Sequence, residues 1–94
     1  MKNIQNIQNI KEIDSNYLYK LYHTDEDGWI FIIEILDRVE MLDEVLIKVV
    51  HVIRHGPLGE DYHNREFGIG NSMLKHSIRC QKLGKKENYP EYFI

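Results

Sequence analysis

Two runs rich in aromatic and β-branched residues, Tyr17–His23 and residues 29–36, flank the turn sequence Thr24-Asp25-Glu26-Asp27-Gly28. Such residues favour the pleated, half-buried surface of a strand, and an Asp-Gly pair between two of them is a strong hairpin signal. The pairing predicts an antiparallel hairpin, with Asp27-Gly28 suited to positive φ. A two-stranded hairpin is barely stable alone in water, so the remaining chain must supply cover or further strands.

The stretch 37–55 supports two readings. Ile35, Val39, Leu42, Leu46, Val49 and Ile53 alternate spacings of four and three, a helical seam, and Glu44 and Lys48 would form an i,i+4 pair. Against this, Val45, Ile47, Val49, Val50, Val52 and Ile53 are β-branched, and Glu44, Lys48 and Arg54 suit the outer face of a strand. A third strand over 44–54 is the favoured reading. Residues 56–61 read as a loop, and 62–70 as irregular chain or a short strand. Asn71 suits a helix N-cap, 72–83 reads as a helix, and Gly84 sits where a C-cap glycine belongs. Ile4, Ile7, Ile10 and Ile13 recur every three residues, which makes no tight stripe on a helix of period 3.6. The expected fold is therefore α+β: an antiparallel sheet of about three strands with a C-terminal helix packed on it. Residues 1–14 form a flexible arm and 15–94 a single domain.

Ninety-four residues hold one modest core. The single cysteine, Cys80, rules out an internal disulfide, and the N-terminus lacks a signal-peptide apolar region. The apolar run 29–36 is interrupted by Glu34 and far too short for a helical membrane span. These features lead to the expectation of a cytoplasmic protein that avoids membranes. The net charge of −3 divides unevenly: ten carboxylates face four Lys/Arg in residues 1–44, and five face eight in 45–94. An acidic chain is a poor generic nucleic-acid binder, whereas its basic second half suits an acidic protein surface. The complete lack of alanine beside many Ile, Asn and Lys residues suggests AT-rich coding, as in a low-GC bacterium or its phage.

His51, His55, His63, His76 and Cys80 lie within thirty residues of one another. On a helix, His76 and Cys80 would share a face at i,i+4, and His51 and His55 have the same spacing. A structural zinc held by His51, His55, His76 and Cys80, with His63 as a further ligand, would staple a small core. The competing reading is surface histidines with Cys80 as a small core residue.

A strand ending in Arg54-His55, a loop, and Asn71 opening a helix that bears His76 and Cys80 resembles the ββα-metal fold of HNH-type nucleases. That resemblance implies His55 as general base and Asn71 as the residue orienting the motif. His55 has no neighbouring ligand histidine, and Cys80 stands where that family usually has histidine. Asp27-Gly28-Trp29 followed by Glu34 and Arg38 resembles a stretch of O-type gas-vesicle accessory proteins, over about twenty residues; that likeness implies an accessory role. The competing reading is a hairpin turn leading to a core tryptophan.

Lys75, Arg79, Lys82, Lys85 and Lys86 form a basic set suited to partner binding. The leading expectation is a non-enzymatic protein-binding module, an inhibitor or adaptor carried by a phage or mobile element, of the anti-CRISPR type.

Overall fold

A computed structural model of the chain describes residues 6–93. The first five residues of the expected arm, and Ile94 of the tail, lie outside the described residues. Five strands form one antiparallel sheet: β1 (Tyr17–His23), β2 (Ile30–Val39), β3 (Glu44–Arg54), β4 (Glu66–Gly70) and β5 (Ile78–Lys85). Their spatial order is β4-β3-β2-β1-β5. The first four strands meander, and β5 returns to the free edge of β1. One helical turn, α1 (Asn71–Lys75), connects β4 to β5 across the core face.

The alternation of side chains along each strand sorts the sheet into two faces. Cys80, Leu21, Phe31 and Val52 stand opposite one another across four strands, and Ile35, Ile47 and Phe67 do so across three. These rows build the main core, which is closed by Ile10 and Ile13 from the N-terminal segment and Leu74 from α1. Full burial of one such leucine contributes about 2 kcal/mol. Among the described residues, the opposite face buries only Leu18, Ile32 and Val50, beneath Tyr89 and Tyr92 of the C-terminal turns. Three register shifts between β2 and β3 mark bulges, which add twist to the longest strand pair.

The N-terminal segment is held by specific bonds. Ile10–Glu12 forms a 3-10 turn, capped by the Asn9 side chain with Glu12 reaching back. A 3-10 turn repeats every three residues, so the isoleucine spacing that fits an α-helix poorly places Ile10 and Ile13 on the same side. Arg38 donates to the carbonyls of Ile10 and Ile13 at 3.1 and 2.7 Å, and the Ile7 amide donates to the Cys80 carbonyl at 2.7 Å.

The sequence-based α+β expectation is corrected: the sheet has five strands instead of about three, and no C-terminal helix covers 72–83. Helical structure stops at Lys75, where His76 leaves helical geometry with φ −107° and ψ −101°. Beyond it, Ile78 and Cys80 are buried while Arg79 and Gln81 are partly exposed, a period of two. The apolar pair fits either period locally, and the unpaired edge of β1 decides in favour of a strand. Asn71 is the first residue of α1, not its cap; its Oδ1 accepts the Ile10 amide at 2.8 Å, tying the N-terminal segment down. Gly84 lies within β5 opposite Leu18, where an added Cβ would stand 2.9 Å from the Tyr89 ring. Gly28 is also required for closeness, since a Cβ there would meet that of His23 at 2.6 Å. Among the described residues, positive φ occurs at Asp43, Asn64 and Gly59, not at Gly28.

Candidate functional site

The histidines and cysteine that sequence spacing groups together are dispersed by the sheet. Cys80 is fully buried in the main core, and burial pushes its thiol up to about 12. His51 is exposed on the other face, its ring 5.4 Å from that of Tyr92. The sheet therefore separates the two. His55 lies just beyond β3 with Nδ1 3.2 Å from the Glu60 carbonyl oxygen. His63 is exposed in the β3–β4 connection, its amide donating to Asp61 at 2.9 Å. His76 is exposed where α1 ends. The shared helix face that would have joined His76 to Cys80 does not form. Among the described residues, no three or more His, Cys, Asp or Glu side chains converge as a metal site.

The basic residues do not lie along one helix face either. Lys75 is exposed at the end of α1, while Arg79 donates to the carbonyls of His76 and Ile78 at 2.9 and 3.1 Å. The Lys82 ammonium stands 4.2 Å above the Tyr17 ring. Lys85 is exposed at the end of β5, and Lys86 pairs with Glu34 at 3.4 Å. Of the Asp27-Gly28-Trp29 turn and the residues that follow it, Trp29 immediately precedes β2, Glu34 is the partner of Lys86, and Arg38 clasps the N-terminal segment.

A different set of residues is brought together at the end of the core face that the N-terminal segment leaves uncovered. Trp29 and Phe31, two apart, project to the same side, and their rings stack at 4.4 Å with 7° between planes. Tyr62, from the β3–β4 connection, lies 5.3 Å from Phe31, and β4 adds Phe67. With Arg65 and Glu66 these four aromatics line an open groove of about 380 Å³.

Polar contacts orient the groove wall. The Tyr62 hydroxyl donates to Glu60 at 2.9 Å, which raises the pKa of the phenol, chiefly through that hydrogen bond. The Arg65 guanidinium lies 4.5 Å over the Tyr62 ring and 3.8 Å from Glu60. Asn64, at φ 68°, turns the chain so that its amide donates to the Val49 carbonyl and the Arg65 carbonyl accepts the Val49 amide. Trp29 also borders a second hollow of about 420 Å³ with His23, Asp25, Glu26, Asp27 and Pro57. Arg54 fixes this turn by donating to the Gly28 carbonyl at 2.6 Å.

The sequence places Trp29 in the hairpin and leaves 62–70 open between irregular chain and a short strand. The available signal was the placement of Tyr62 and Phe67, large aromatics in an otherwise polar and glycine-rich stretch. Among the described residues, no helix is long and apolar enough to cross a membrane. No protein-family model, curated protein or solved structure matches this chain.

Proposed function

We propose that the chain is a non-enzymatic protein-binding module that receives an extended partner segment in the groove formed by Trp29, Phe31, Tyr62 and Phe67. The observation that carries this reading is the set of partly exposed rings, Trp29, Tyr62 and Phe67, held in place along a groove by the buried Phe31, on which Trp29 stacks, and braced by Glu60 and Arg65. Aromatic side chains dominate many energetic centres of protein interfaces because they bury much area with only two side-chain torsions to freeze. Rings already stacked lose little more freedom on binding. An open groove lined by few side chains suits a short segment better than a flat domain surface.

Selection of displayed random peptides on the intact chain tests the proposal. Enriched peptides should lose about 2 kcal/mol of binding, roughly thirtyfold, with Tyr62→Ala. Phe67→Ser should weaken them similarly, while Met41→Ser, at a remote and 96% exposed position, should leave them unchanged. Melting curves of each variant separate lost binding from lost folding. Enriched peptides indifferent to both groove variants, or no enrichment at all, would refute the reading.

A further inference from the structure

Resting on that reading, we infer that the partner segment carries a lysine or arginine side chain, whose stem lies along Trp29 and whose charged head enters the hollow beside the Asp25–Asp27 turn. The groove and the hollow both border Trp29, so a segment lying on the aromatics has the turn as its neighbour. Together their linings hold four carboxylates, Asp25, Glu26, Asp27 and Glu66, against one guanidinium, that of Arg65. Arg65 is already engaged by Glu60 and the Tyr62 ring, and Arg54 by the Gly28 carbonyl. Asp25, Glu26 and Asp27 are exposed, and among the described residues the only ion-pair contact they make is that of Asp25 with His23, at 3.3 Å. A long basic side chain matches this arrangement because its methylenes cover apolar surface while its cation stays at the wet rim. The indole face adds cation–π attraction to the same head group. The charge pattern disfavours an acidic segment, whose head would meet like charge.

The chain has a single tryptophan, so its fluorescence and its indole N–H resonance report on this place alone. The probes are capped Gly-Leu-Xaa-Leu-Gly peptides in which Xaa is lysine, arginine, norleucine or glutamate, titrated at millimolar concentration into the full chain. Lysine and arginine peptides should bind about tenfold more tightly than norleucine, which keeps the stem and lacks the charge. Raising the salt should erode that preference, since the carboxylates are exposed. The triple variant Asp25→Asn/Glu26→Gln/Asp27→Asn should retain norleucine binding and its melting temperature while losing the preference for the cation. Equal binding of lysine and norleucine peptides, or a preference that survives in the triple variant, would overturn the inference and leave the groove reading standing. Failure of every peptide to perturb Trp29 would overturn both.

Discussion

The two faces of the sheet are made from the same strands, yet they are closed in different ways. Among the described residues, the core face buries fourteen and is covered over part of its extent by the N-terminal segment and α1, which are tied to distant chain by hydrogen bonds. The opposite face buries three residues under two tyrosines from the C-terminal turns. The difference shows that β-branched content makes a sheet but does not choose which face becomes the core. That choice falls to the segments able to reach across it. Incomplete closure also explains the groove: the apolar core face runs on past the part that the N-terminal segment covers, and Trp29, Tyr62 and Phe67 are left partly exposed there.

The comparison predicts unequal costs for the same truncation. Leu21→Ala, in the main core, should destabilise the fold by about 4 kcal/mol, and Leu18→Ala by about 2.5 kcal/mol, because a thin cover collapses more readily onto a cavity. Both leucines are fully buried, so burial alone forecasts equal losses. Equal losses in urea titrations would break the distinction between the faces.

Removal of the Arg38 clasp should cost about 2 kcal/mol, since Arg38→Ala leaves the Ile10 and Ile13 carbonyls without a charged donor. Amide exchange should accelerate first at Ile7, Ile10 and Ile13, whose amides are hydrogen-bonded in this segment. On the opposite face, Gly84→Ala should cost about 1 kcal/mol, because the new methyl displaces the Tyr89 ring. Near-ultraviolet circular dichroism should register that tyrosine shift without loss of the sheet signal.

Burial of Cys80 makes stability pH-dependent on the alkaline side. A folded-state thiol pKa raised from 9.0 to about 12 contributes stability that is fully present below pH 9. It is lost as the pH rises toward 12, because only the unfolded state releases the proton. Stability should therefore fall more steeply above pH 9 for the native chain than for Cys80→Ala. At neutral pH the thiol should resist alkylation until denaturant is added, and rapid alkylation of the folded chain would contradict its burial.

Local sequence specifies the β1–β2 hairpin and favours a strand over a helix for β3. Tyr17–His23, the turn and the β-branched run in Glu44–Arg54 have local preferences and alternation that agree with their final state. The core character of Cys80 was also legible, as one of two alternatives, from the residue type. Tertiary structure decided the rest. Residues 78–85 became a strand because β1 offered an unpaired edge and the Ile78, Cys80 pair could serve either periodicity. Once that segment was extended, spacings that place side chains together on a helix divided them between two faces and several elements. The aromatic groove joins Trp29 and Phe31 to Tyr62 and Phe67, residues distant in sequence that only strand pairing brings within stacking distance. Local preference acts over a few residues, whereas this site depends on register across β2, β3 and β4, and register is set by burial of the whole face.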